Sequence, residues 1–212
     1  MEFIVFEFNI DRICNERDIE RFKGFFSSTF KDNINFRNHK DKRSFNFPKI
    51  QYRLFDNGNL GIILMPNLHN KNELINKIFH LKNINLENAI YEIKEINYSV
   101  KNEDFSVKDS LFKYKFKTPW IALCEKNYEK YLNNTLDLNE VLKNNLLSNF
   151  KGLGITLNKE ILVNGDFQPK NITLKDIDYT IFYGEFVTNV DIPNGLALGK
   201  RKSIGYGVVE KI

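Results

Sequence analysis

Residues 50–55 and 60–65 are two short apolar runs separated by Asp56-Asn57-Gly58-Asn59. A tetrapeptide of this composition closes a β-hairpin, because Asn and Gly accept the left-handed backbone that the tight turns of paired strands require. The hairpin commits the first half of the chain to an antiparallel sheet, and the flanking segments supply its other parts. Residues 3–10 are short, apolar and rich in Phe, Ile and Val, as in a buried strand. Asn15 then stands where a helix needs a cap, with Asp18 in the first turn. Ile19, Phe22, Phe26 and Phe30 recur at steps of three and four and define one apolar face. A second helix is expected over 71–80 around Leu74, Ile75, Ile78 and Phe79, followed by a strand over 89–100.

The resulting order, β-α-β-β-α-β, predicts an α+β architecture, a ferredoxin-like (RRM-like) unit over residues 1–100. The second half repeats the rhythm over 101–212. Strands are expected at 112–118 and near 159–165, 180–191 and 205–211, with helices at 122–131 and 138–152. The charged stretch Lys-Asn-Glu-Asp-Phe-Ser-Val-Lys-Asp-Ser at 101–110 reads as the change of unit. Two tandem ferredoxin-like domains are therefore expected, and a content of 42% hydrophobic and 14% aromatic residues suffices for their cores.

Cys14 and Cys124 are too few and too distant for a disulfide framework, so free thiols in a reducing compartment, the cytoplasm, are expected. The start carries Glu2 and Glu7 in place of a basic region, so neither a secretory signal nor a membrane partner is expected. Three scattered histidines, His39, His69 and His80, without carboxylates at ligand spacing, predict no resident metal, and no cofactor fingerprint is present.

The net charge of +4 is modest, but the basic residues cluster. Arg37, Lys40, Lys42, Arg43, Lys49 and Arg53 face Asp41 alone, with His39 among them. Near the C-terminus, Lys200, Arg201 and Lys202 lie among Gly195, Gly199, Gly205 and Gly207. Such clusters neutralise phosphates, and bare backbone brings its N–H groups close to an anion. The competing interpretation is that Gly205 and Gly207 shape a hairpin into the last strand and the basic run is a solvated face. Trp120, amid Ile121, Ala122 and Leu123, is expected to pack in the core, and His69 and His80 to be structural.

The segments RFKGFFSSTF (21–30), NH (38–39), FPKIQYR (47–53), FKTPWIALCEKNYEKY (116–131), LLSNFKGLG (146–154) and the terminal GLALGKRKSIGYGVV follow one another in a familiar order. Together they resemble the CRISPR-associated endoribonucleases of the RAMP superfamily, subtype b branch, that cut precursor CRISPR RNA within each repeat. The resemblance implies precursor CRISPR RNA as partner, with other effector-complex subunits or a second copy of the chain left open. It also implies metal-independent cleavage dependent on a histidine after the first helix. His39 matches that histidine, with Lys42 and Arg43 as charge stabilisers and Tyr52 as a helper. The implied RNA-binding residues are Arg37, Lys40, Arg43, Lys49, Arg53, Gly199, Lys200, Arg201, Lys202, Ser203, Gly205 and Gly207. The chain departs from the family pattern where relatives carry a second histidine and a tyrosine. Arg37 holds the first place, and Phe45 and Phe47 precede Pro48. A repeat-binding subunit that does not cleave is the alternative.

Overall fold

The computed structural model describes residues 1–36, 47–87, 89–174 and 176–212. The chain divides into two compact units. Unit 1 comprises Met1–Glu103 together with Ser203–Gly205, and unit 2 comprises Asp104–Lys202 and Tyr206–Ile212. Both are α+β.

In unit 1, β1 (Glu2–Ile10) leads to α1 (Glu16–Thr29), the hairpin β2 (Ile50–Leu54) and β3 (Leu60–Leu64), α2 (Lys71–Phe79), β4 (Asn83–Leu86) and β5 (Ala89–Asn102). The strands form one antiparallel sheet in the order β2-β3-β1-β5-β4. Four of them have the ferredoxin-like arrangement expected from the sequence, and β4 is an addition at the edge. Two alternate residues of β4, Ile84 and Leu86, reach the core, while two asparagines occupy its other positions. So short a polar-rich strand carries little periodic signal.

The expected cap forms. Asn15 accepts from the Arg17 N–H, and Asp18 accepts from the Asn15 N–H at 3.0 Å. Asp18 is fully buried and accepts from Arg12 and Arg21, so its charge is compensated where it leaves water. The inner face of α1 then packs Phe22 and Phe26, 4.9 Å apart and edge-on, against Phe8. Each buried phenylalanine contributes about 1.5–3 kcal/mol.

Unit 2 runs β6 (Ser106–Phe116), α3 (Glu125–Leu132), α4 (Leu138–Leu153), β7 (Val163–Leu174), β8 (Ile177–Asp191) and β9 (Val209–Lys211). Its antiparallel sheet has the order β7-β8-β6-β9, the same order as the first four strands of unit 1's sheet. The core gathers Tyr114, Trp120, Leu142, Leu146, Phe150, Phe182 and Phe186. Trp120 is wholly buried, as expected, and stacks on Phe116 with centroids 5.1 Å apart.

The chain passes from unit 1 to unit 2 between Glu103 and Asp104, inside the charged stretch 101–110, which also holds the end of β5 and the start of β6. Two other expectations need correction. The strand expected near 159–165 runs over Val163–Leu174 and pairs along its length with β8. Asn164, Asp166, Gln168 and Lys170 lie on its exposed face and conceal it, because the strand continues past Phe167 with one polar residue after another. The last strand is shorter than 205–211 because the glycine-containing loop occupies its first residues.

Candidate nucleic-acid interface

The first basic cluster can be placed only in part. His39, Lys42, Arg37, Lys40 and Arg43 lie outside the described residues, as does Phe45. The other members belong to unit 1. Lys49 is half-buried just before β2, and desolvation lowers its pKa. Tyr52 lies inside, its ring edge-on to Phe22 and Phe26 at 5.9 and 6.0 Å. Burial moves its phenol well above the usual range, which opposes proton exchange near neutrality. Arg53 is buried too, and donates to the Tyr52 carbonyl at 2.9 Å and to Gln51 Oε1 at 2.5 Å. Desolvation lowers its pKa. Ser203 accepts from Lys23 Nζ at 3.3 Å, and Gly205 lies near the Tyr52 carbonyl. Thus β2 supplies buried polar groups rather than a displayed row of charge.

In unit 2 the glycine loop has a built frame. The Val208 N–H donates to Thr118 Oγ1 (2.9 Å), the Gly207 N–H to the Pro119 carbonyl (2.8 Å) and the Lys200 N–H to the Ile121 carbonyl (3.1 Å). The Leu198 N–H closes the loop on the Gly207 carbonyl at 2.8 Å. The Thr-Pro-Trp-Ile segment and the glycine loop, more than 70 residues apart in sequence, are therefore one structural element. Packing decides the glycines at 199 and 207. A Cβ on Gly199 would stand 2.7 Å from Trp120 Nε1, and one on Gly207 would stand 2.0 Å from the Leu198 carbonyl oxygen. Both also have positive φ, at +85° and +69°. This shaping role leaves the display of charge to their neighbours.

Those neighbours differ. Lys200 is exposed, whereas Arg201 is half-buried with its guanidinium 5.6 Å from the Tyr206 ring centre, in cation–π range. Arg201 also takes the left-handed conformation at φ +55°, a placement that costs a side chain of this size about 1–3 kcal/mol and marks a loop held under constraint. Lys202 turns inward: its Nζ donates to Asn149 Oδ1 at 2.5 Å, and burial lowers its pKa to about 8. Asn149, on α4 and fully buried, donates in turn to the Ala197 carbonyl at 2.9 Å. The sequence signal for Asn149 was a single amide within the apolar stripe Leu142, Leu146, Phe150 and Leu153. His69 and His80 stand apart from this arrangement: the His69 carbonyl accepts from Asn35, and the His80 ring bonds the Asn76 carbonyl at the end of α2. Among the described residues, no cluster of three or more His, Cys, Asp or Glu could hold a metal ion, and no helix is long and apolar enough to cross a membrane.

Two ferredoxin-like units in tandem, the second with a framed glycine loop before its last strand, define the fold class of the RAMP-type Cas6 proteins. A Thermus thermophilus Cas6 shares that fold at 9% identity, with a TM-score of 0.57 over 100% of this chain and 98% of the other. The Cas6b N-terminal domain family matches residues 1–104 and the Cas6b C-terminal domain family matches residues 106–212; the chain belongs to the Cas6b family. A crystal structure of Cas6b is 30% identical and superimposes with a TM-score of 0.86 over 100% of both chains. Another, described as the CRISPR RNA processing endoribonuclease Cas6b, gives 30% identity and a TM-score of 0.75, again over 100% of both. An uncharacterized protein of Methanocaldococcus jannaschii is 33% identical over 141 residues, covering 64% of this chain and 96% of that protein.

Proposed function

We propose that this protein is a metal-independent endoribonuclease that cuts precursor CRISPR RNA within its repeats to release mature guides. The observation that carries the reading is likeness over the full chain to a Cas6b described as a CRISPR RNA processing endoribonuclease. RNA supplies its own nucleophile, the 2′-OH beside each phosphodiester. The protein needs to remove that proton, stabilise the charge gathering on the phosphorus oxygens and protonate the departing 5′-oxygen. The products are a 2′,3′-cyclic phosphate and a 5′-OH. An unperturbed imidazole titrates near neutral pH, and His39 serves here as the proton-transfer group, a role typically worth about 10²–10⁴-fold in rate. Lys42 and Arg43 stabilise the developing charge. Tyr52, whose phenol lies among Phe22 and Phe26, contributes by fixing β2 rather than by exchanging a proton. In this reading Arg37, Lys40 and Lys49 contact RNA from unit 1 and the exposed Lys200 with Arg201 contacts it from unit 2, while Arg53, Lys202, Gly199 and Gly207 shape the backbone beneath.

The test is cleavage of a labelled cognate repeat in excess EDTA by the parent and by His39→Ala, with a repeat carrying one 2′-deoxy sugar at the cut site as control. Scission at one position that survives EDTA and is abolished by either change is the expected result. Tight binding without scission favours the second reading, a repeat-binding subunit. Arg37, which does not readily exchange a proton, and Phe45 and Phe47, which have none to give, support that alternative.

A further inference from the structure

Asn149 is fully buried in the centre of the inward stripe of α4, where Leu or Met would fill the volume without removing an amide from water. Such a group is tolerated when all of it is used. Here both ends of the amide are engaged, and they reach two points of the same loop. Nδ2 donates to the Ala197 carbonyl at 2.9 Å, and Oδ1 accepts from Lys202 Nζ at 2.5 Å. Between these feet stand only Leu198, Gly199, Lys200 and Arg201, and the chain reverses through left-handed backbone at Gly199 and Arg201. One helical turn earlier, Asn145 accepts from Trp120 Nε1 at 3.0 Å, fixing the indole against which Gly199 packs. Three separate segments thus meet in unit 2, with two asparagines of α4 behind the arch.

Building on the RNA-binding reading above, we propose that Asn149 is the positioning residue of the glycine loop: it pins both feet of the 197–202 arch, so that Lys200 and Arg201 are held where they meet RNA phosphates. Lys202 is the inner foot of the arch and acts through Asn149, while the charge displayed to the ligand belongs to the two residues before it. The lowered pKa of Lys202 agrees with an amine held among protein groups.

The experiment compares the parent, Asn149→Leu and Lys202→Met, each with and without Lys200→Ala. The readouts are the Kd for labelled cognate repeat RNA and amide hydrogen exchange of the RNA-free proteins. In the parent, Lys200→Ala weakens binding about fivefold, as loss of a phosphate contact should. Once the arch is released, the same change costs less than about twofold, because the lysine no longer reaches its phosphate. Without RNA, the Leu198 and Lys200 amides exchange about tenfold faster in Asn149→Leu while those pairing β6 with β8 keep their protection. General loss of stability would accelerate both sets together. Equal factors for Lys200→Ala in parent and released backgrounds overturn the proposal, as do unchanged exchange rates at Leu198 and Lys200. Lys202→Met retains the aliphatic stem and supplies the same comparison should Asn149→Leu fail to fold. A parent that does not bind repeat RNA above a scrambled control overturns the functional reading, a failure distinct from unchanged exchange in the RNA-free protein.

Discussion

The two units share a sheet order and differ in how the chain enters the last of the four common strands. In unit 1 that passage contains α2, a regular helix that buries Leu74 and Ile78. In unit 2 residues 192–202 and 206–208 contain no α-helix, yet Ile192, Leu196, Ala197, Leu198 and Val208 are all buried. The helix satisfies its own backbone groups. The loop requires partners from elsewhere, and it finds them at Thr118, Pro119, Ile121 and Asn149. Replacing a self-sufficient element by a dependent one costs stability unless the partners are exact in place, and it frees a short arch of chain to carry charge. The helices behind the sheets show the same contrast. Facing its core, α1 keeps its buried polar group, Asp18, in the first turn ahead of Ile19, Phe22 and Phe26, whereas α4 sets Asn149 within its apolar stripe.

The contrast is tested most severely by Phe26→Ala in α1. Phe26 is fully buried and meets Phe8, Phe22, Phe25, Phe30 and Phe36 as well as Tyr52. Its truncation is expected to lower unfolding free energy by about 3–5 kcal/mol, read by urea denaturation. In unit 2 the corresponding weak point is backbone. Gly207→Ala sets a methyl group against the Leu198 carbonyl oxygen in a left-handed residue, and a loss of about 2–3 kcal/mol is expected. Little loss in the second variant would show that the loop yields easily, and the contrast between a rigid helix and an equally fixed loop would fail.

The regular half of this contrast was legible in the sequence and the irregular half was not. The Asp56-Asn57-Gly58-Asn59 turn, the Asn15 cap and the Phe22–Phe26 face each announce themselves within a few residues, since local chemistry determines them. The edge strand β4 and the polar extension of β7 beyond residue 165 did not, because pairing with a neighbour forms them. The candidate site divides in the same way. Clustered Lys200, Arg201 and Lys202 are visible as charge, but that Lys202 turns inward depends on Asn149, 53 residues away. Gly199 and Gly207 looked like backbone bared for a phosphate, and the atoms that exclude a Cβ are those of Trp120, Ile121 and Leu198.

Charge carried by the loop should behave differently from charge carried by the helix that takes its place in unit 1. Lys77 on α2 is exposed and paired with Glu73 at 2.6 Å, and Lys77→Ala is expected to leave repeat-RNA affinity unchanged and stability within about 0.5 kcal/mol. Lys200→Ala should reduce affinity several-fold and reduce the slope of log K against log salt by about 0.7–0.9, the signature of one phosphate contact. Titration of fluorescent repeat RNA from low to moderate salt measures both. Equal slopes for the two variants would mean that the loop displays no more charge to RNA than an ordinary helix face.

The smallest effect concerns the buried foot of the loop. Lys202 titrates at about 8 in the folded protein against 10.5 for an unperturbed lysine. Below pH 8 both the folded and unfolded states hold the proton, and the folded state bears the full cost of keeping that charge away from water. Between about pH 8 and 10.5 the unfolded chain holds the proton while the folded amine has lost it. The unfolded state then binds more protons, so this group makes stability rise with pH across that window. Lysine and tyrosine side chains ordinarily titrate in this range, but a difference between two proteins isolates one residue. The melting temperature of Lys202→Met should therefore approach or exceed that of the parent near pH 7.5 and fall relative to it as pH climbs toward 10. Parallel curves over the whole range would show that Lys202 is as well solvated as a lysine on α2, and the distinction between an inward foot and an outward tip would have to be given up.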